Sequence, residues 1–339
     1  MNRRPVLALT FLFAASLACS ALNPNPIEGR LLYVSERNTD LDIYTMHADG
    51  AGQVRLTDNP GYDQTPAWSP DGKQIAFASW TRDNLELYVM NSDGSEAKKM
   101  TANPLDDWGP VWSPDGSAIA FISGSYGIGD IFLISNDGKT LKQLTALIGN
   151  ECCLQWSPDG EQIAFVNFYR TEREIYLINA DGTGLTNLTN EPAQDLTPIW
   201  SPDGNQIVFQ TNRDGNWEIY VMGLSGGDIT SVINLTNHPG ADRHPKWSPS
   251  GETIAFVSRR NSNDEIYVMK ADGSGQTRLT HDSAADYEPV WSPDGQHLAF
   301  ISERDGNPEI YLMNADGSGQ ARLTHNSEND EGMIWQPTP

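Results

Sequence analysis

Carboxylates recur in this chain at a spacing that no single compact active site requires. Asp63, Asp107, Glu151, Asp195, Asp242, Asp286 and Asp330 stand 44 or 47 residues apart. Hard cations such as Ca²⁺ take several carboxylate oxygens, so acids gathered by symmetry would form a candidate Ca²⁺ ring. Alternatively, each acid holds the backbone N–H groups of its own loop, as Asp does in turns. A second series keeps the same count: Asp42, Glu86, Asp130, Glu174, Glu218, Glu265 and Glu309. Arg37, Arg213, Arg260 and Arg304 recur in equivalent loops, and their spacing predicts ion pairs from one repeat to the next.

Other reactive side chains are sparse. Six histidines occur, with His281 and His325 directly after "LT", His238 one place later and His244 nearby. Imidazoles gathered with channel carboxylates would hold a transition metal and suit a metal-dependent polysaccharide lyase or hydrolase. The alternative is drift within repeated loops. No H-E-x-x-H and no Cys/His run of zinc spacing is present, so no catalytic residues are assigned. Cys152 and Cys153 are adjacent, in "ECCLQWSPDG". They are either two free thiols or a strained vicinal disulfide, because neighbouring Cα atoms lie closer than a disulfide usually spans. Leu154 stands where sister copies have Pro, so the pair marks a strand entry expected to be irregular in this copy alone. Trp80, Trp108, Trp217, Tyr62, Tyr126, Tyr169 and Tyr287 fall in loops. There they offer a peptide or sugar surface, or pack their own loops.

The elements that must position these residues follow from self-similarity. Trp68, Trp112, Trp156, Trp200, Trp247, Trp291 and Trp335 are spaced 44, 44, 44, 47, 44 and 44 apart. Thr57, Thr101, Thr145, Thr189, Thr236, Thr280 and Thr324 repeat in register with them. Each unit reads as four short strands, as in "PVW", "HLAFIS", "EIYLM" and "ARLT", separated by "SPDG" and "ADG" turns. Four antiparallel strands per ~40–45 residues is the pattern of a propeller blade. The first unit lacks its first strand, and "GMIWQP" at residues 332–337 is an orphan first strand. Pairing the two predicts an all-β, seven-bladed β-propeller over residues 30–337, closed within one blade and without an open edge. The "SPDG" and "ADG" hairpins share one face and hardly vary. The opposite loop face varies from copy to copy and is the expected site of function.

The repeat "PxWSPDGxxIAFxS…EIYxMxADGxxxxxLT" resembles the WD-like repeat of the TolB C-terminal propeller, and is similar to those of tricorn- and prolyl-oligopeptidase-type propellers. The resemblance covers roughly residues 30–337. It implies a propeller and a binding character, with seven repeats here where TolB has six.

Composition narrows the partners. A hydrophobic content of 38% with ten Trp supports a packed core rather than a disordered chain. A formal net charge of −23 disfavours a nucleic-acid or anionic-membrane surface, which needs clustered Lys and Arg. Arg3 and Arg4 precede an apolar stretch, Val6 to Ala18, too short to span a bilayer and suited to a secretory signal over residues 1–18. "SLAC" resembles a bacterial lipobox, with Ser16 where Leu is usual, so Cys19 is a candidate lipidation site and residues 19–29 a spacer. Cleavage past Cys19 is the alternative. The expectation is an exported, monomeric, non-catalytic envelope protein that binds a protein or glycan on its loop face. It would touch the membrane only through the N-terminal lipid and need no cofactor other than Ca²⁺.

Overall fold

The β-branched and aromatic residues of "QIAFAS" and its six counterparts are buried on both faces, which marks them as inner strands sandwiched between neighbouring sheets. In the computed structural model, residues 29–37, 40–80, 83–125 and 128–338 are described. Twenty-eight strands form seven four-stranded antiparallel sheets, arranged as the blades of a propeller. The chain begins the first sheet, then builds six blades in order, numbered here two to seven. Their innermost strands are Asp63–Trp68, Asp106–Trp112, Asn150–Trp156, Asp195–Trp200, Asp242–Trp247 and Asp286–Trp291. The seventh innermost strand, Asp330–Trp335, returns to blade one and pairs with Arg30–Ser35, with Leu31 opposite Trp335 and Ser35 opposite Asp330. Pairing the two chain ends gives blade one the innermost strand that each of the other six blades has, so its sheet too is four-stranded.

Turn chemistry sets the hairpin face. In "SPDG" the Ser69 hydroxyl donates to Asp71 Oδ1 at 2.8 Å, and the Lys73 N–H donates to the same oxygen at 3.1 Å. Gly72 adopts φ 66°, which closes the turn without a Cβ penalty. The arrangement repeats around Asp115, Asp159 and Asp203. The Ser hydrogen bond holds each of these carboxyls, like Asp71, below the usual carboxylate range. The three extra residues of the 47-residue unit lengthen the outer hairpin of blade five, where Glu218–Ser225 pairs with Asp228–Asn234.

Packing runs between blades. Each apolar cluster combines two neighbouring sheets; Trp200 of blade five, for example, sits among Val166, Ile175 and Leu177 of blade four. The Trp112, Trp156, Trp291 and Trp335 indole N–H groups donate across the blade boundary to the carbonyls of Ala67, Val111, Lys246 and Val290, each at 3.2 Å. Within blades, an aromatic pair such as Phe77 and Tyr88 stacks at 5.6 Å between centroids.

Candidate functional site

The two acid series are bound into the frame. The repeated Thr is the hub: the hydroxyls of Thr57, Thr101, Thr145, Thr189, Thr236, Thr280 and Thr324 each accept one strand N–H, from Ile43, Leu87, Ile131, Ile175, Ile219, Ile266 and Ile310. Thr101, Thr189, Thr236 and Thr280 donate onward to Glu86, Glu174, Glu218 and Glu265. This second series therefore ties the third strand of a blade to its fourth.

The ring of Asp63, Asp107, Glu151, Asp195, Asp242, Asp286 and Asp330 is buried at 0–1% exposure. Arg37, Arg213, Arg260 and Arg304 reach Asp330, Asp195, Asp242 and Asp286 at 2.8, 3.1, 2.7 and 2.9 Å. These pairs lie within single blades, which corrects the expectation of pairs from one repeat to the next. Register explains the correction: Asp195 lies opposite Thr211 and Asp242 opposite Ser258, so an Arg two places further on folds back onto its own sheet. Each Arg also covers that sheet's aromatic pair; Arg304 lies 4.6 Å from the Tyr311 centroid and 5.8 Å from that of Phe300.

Among the described residues, blades two to four show no such Arg pair. Asn59 and Asn103 donate to Asp63 and Asp107 at 3.2 and 2.7 Å. Thr145 and the Ile131 N–H donate to Glu151. Burial pushes the Asp63 and Asp107 carboxyls above their usual range, against these hydrogen bonds. It pushes Glu151 up to about 7, with Asp130 adding to the effect. Among the described residues no three His, Cys, Asp or Glu side chains come together to hold a metal ion. The ring acids are thus engaged one blade at a time and do not converge on one Ca²⁺ position. Nor do His238, His244, His281 and His325 meet: His238 Nδ1 accepts the Gly240 N–H, and His281 and His325 are exposed.

Chemistry concentrates where the inner strands bulge. Thr65, Gly109, Cys153, Thr197, His244, Glu288 and Gly332 all carry positive φ, between 51° and 63°. At each of these places the pairing register slips, as between Cys152 and Gln155 or between Arg243 and Lys246. The irregular entry expected at the cysteines alone is therefore a seven-fold feature, present with Pro66 or Pro110 in the next position and equally with Leu154 or Met333. Such a bulge re-aims one side chain out of the pleat. Four of these residues, Gly332, Thr65, Gly109 and Cys153, line a single cavity of about 480 Å³ with Trp108, Pro110, Leu154, Met333 and Ile334. That wall, from blades one to four, is largely apolar.

The opposite wall is charged. Lys246 is held below its usual pKa by burial, with Glu288 and Cys153 opposing. Burial also lowers His244, helped by Lys246 and Arg243, and raises Glu288. Cys152 and Cys153 are free thiols. The Cys153 thiol is held below its ordinary value chiefly by its hydrogen bond with Cys152, with Lys246 and Arg173 adding to this. The same contact raises Cys152.

The aromatic candidates disperse. Of the candidates among the described residues, Trp108 alone lines the channel cavity. Trp80 is 42% exposed and lines a separate hollow with Phe77 and Tyr88, while the exposed Tyr62 accepts the Trp80 N–H through its carbonyl. Arg243 covers Trp217 at 5.5 Å and Arg170 covers Tyr169 at 5.1 Å. Tyr287 packs between blades seven and one, where burial and neighbouring carboxylates raise its pKa. Tyr126 and Cys19 lie outside the described residues. Sequence reasoning missed Thr65, Glu288 and Lys246. Their signal was a residue type, directly before or after the repeated Pro position, that departs from most sister copies, as Glu288 and Lys246 do.

Comparison with known proteins places the chain as follows. A family model described as the TolB beta propeller domain matches residues 60–152, 142–235 and 230–338. A "Tol-Pal system protein TolB" from Syntrophotalea carbinolica is 31% identical over 74 residues, 22% of this chain and 17% of that protein. The match therefore spans about a sixth of that relative's length. A solved TolB from Acinetobacter baumannii superposes with TM-score 0.62 at 22% identity, over 93% of this chain and 68% of that one. An oligogalacturonate lyase in complex with manganese gives 0.70 at 18% identity, over 84% and 85%. At these identities the superpositions establish the fold alone.

Proposed function

Because the chain belongs to the TolB beta propeller domain family, we propose that it is a non-catalytic envelope binding module that seats a protein or glycan segment at the loop-face mouth of its channel. The carrying observation is the asymmetric channel. One wall, around Trp108, Pro110, Leu154, Met333 and Ile334, is apolar, and the other presents Lys246, His244 and Glu288. A wall of that kind accepts an extended chain with an apolar group on one side and a charged group on the other. The hairpin face, repeated blade after blade, offers no comparable variation. Export through the signal at residues 1–18, with lipidation at Cys19, completes the reading and gives the protein its partners in the envelope. A photo-crosslinking residue placed at Trp108 should capture an envelope component in cells, and the same residue at Asp71 on the hairpin face should not. Equal capture at both positions, or at neither, would overturn the proposal. A metal-dependent lyase is the competing class. Formation of an unsaturated uronate product from polygalacturonate with added Mn²⁺, lost on His244→Ala, would replace the binding reading.

A further inference from the structure

The thiol chemistry of the Cys152–Cys153 pair is used by neither the frame nor the binding reading. The two thiols belong to adjacent residues, and no other cysteine is found among the described residues. Their surroundings differ. Cys152 is half-buried and packs against the apolar cluster shared by blades four and five. Cys153 stands on the bulge at φ 61° and is exposed on the channel cavity. Arg173 and Lys246 both act on the Cys153 sulfur and favour a thiolate there, and among the described residues neither has an ion-pair partner within 4.0 Å.

We infer that Cys152 and Cys153 form a thiol–disulfide exchange site on the channel wall, with Cys153 as the attacking thiol and Cys152 as the resolving one. The substrate class is a disulfide small enough to enter the channel mouth. The Cys153 thiolate, its proton passed to solvent, attacks one sulfur of RSSR and expels RS⁻, which takes up a proton as RSH. Cys152 then loses its proton and attacks the Cys153 sulfur of the mixed disulfide, expelling the second RS⁻ as RSH. The balance is two protein thiols plus RSSR giving one protein disulfide plus two RSH. The product is a small ring through one peptide bond. Ring strain makes such a disulfide readily reducible, a property of exchanging rather than structural bridges. The bulge contributes by turning Cys153 out of the pleat, so that successive side chains need not point to opposite faces of the strand.

The experiment uses the reduced full chain, glutathione disulfide as the probe, and maleimide blocking before trypsin digestion. In the wild type the peptide of residues 143–170 should become two hydrogens lighter, take up no maleimide and keep no glutathione. Cys152→Ser should stop at a glutathione adduct on Cys153. Cys153→Ser should form its adduct roughly tenfold more slowly than Cys152→Ser. A wild-type peptide that still takes two maleimides, or that holds glutathione on both thiols, would overturn the inference, as would Cys152 being the faster thiol. The ring mass in the wild-type peptide decides the matter even if a Ser variant fails to fold. Because the readout is covalent, it is independent of whether Trp108 captures a partner.

Discussion

Replacing Glu151 by Gln should stabilise the protein in neutral and alkaline solution and do almost nothing in acid. Glu151 is 1% exposed and lies in a blade without the Arg that serves Asp195, Asp242, Asp286 and Asp330. Its carboxyl titrates at about 7 in the fold, against an ordinary value of 4.5. A raised folded value means that the native state binds the proton more tightly than the unfolded chain does. The resulting stability is fully present below about 4.5 and is lost as pH rises through about 7. A difference of that size corresponds to at most about 3 kcal/mol of native-state cost above pH 7. Gln removes the charge and keeps the shape. Its oxygen can still accept from Thr145 and the Ile131 N–H, since both donate to the same carboxylate oxygen and the other has no partner. For a chain of this size, about 3 kcal/mol moves the melting midpoint by about 5 °C. The assay is thermal unfolding of wild type and Glu151→Gln at pH 5 and pH 8, with Glu151→Asp as the charge-retaining control. A gain of equal size at both pH values, or a loss at pH 8, would refute the assignment of burial as the cause.

The frame makes further predictions. Arg260→Met leaves the fully buried Asp242 without its partner and should cost about 3–5 kcal/mol, whereas Arg259→Met, whose pair with Asp264 is largely exposed, should cost under about 1 kcal/mol in denaturant titration. Thr280→Val orphans the Ile266 N–H and one Glu265 oxygen, so it should cost about 2–4 kcal/mol, while Thr277→Val on the exposed fourth strand should be near neutral. Removing residues 330–339 exposes the inner edge of Arg30–Ser35 and should turn a monodisperse species into self-associating material by sedimentation. Supplying that segment as a peptide should reverse the change.

The fold was legible because its determinants are local and repeated seven times. The Trp, Thr and "SPDG" series state strand order, turn type and closure in one dimension, and the orphan segment at 332–337 matches the missing strand of the first unit. The Arg–Asp pairs were legible as chemistry but not as geometry. Choosing between the same blade and the next needs the register of the two inner strands, and charge spacing at one repeat length is the same either way. The aromatic candidates failed for a related reason. Trp108 lies in the inner strand Asp106–Trp112 and lines the cavity, whereas Trp217 stands outside the strands under Arg243. A ring's destination depends on what the neighbouring blade places over it. The bulge was hidden because Thr65, Cys153, His244 and Glu288 share no side-chain type, only a backbone conformation.

Those two hidden features explain why the channel is lopsided. In blades one, five, six and seven, one Arg pairs with the ring acid and covers the Phe–Tyr or Tyr–Tyr pair, so a single side chain serves both. At the corresponding repeat positions in the sequence of blades two to four stand Thr81, Ser125 and Tyr169, none of which is a cation. The acids there must instead be held by Asn or Thr and carried toward protonation, which is costly for the fold at neutral pH. Repetition alone would have placed Arg in all seven copies. Three consecutive departures, in the sector that also contributes Trp108, Cys153 and Leu154 to the cavity, concentrate the loss of stability on one side of the channel. On the proposed binding function, an apolar wall is incompatible with a row of guanidinium groups at its rim. Restoring the Arg by Ser125→Arg should therefore lower the Asp107 carboxyl back toward its ordinary range and raise the melting midpoint. The same change should weaken capture at Trp108, and stabilisation with unchanged capture would separate the missing arginines from function.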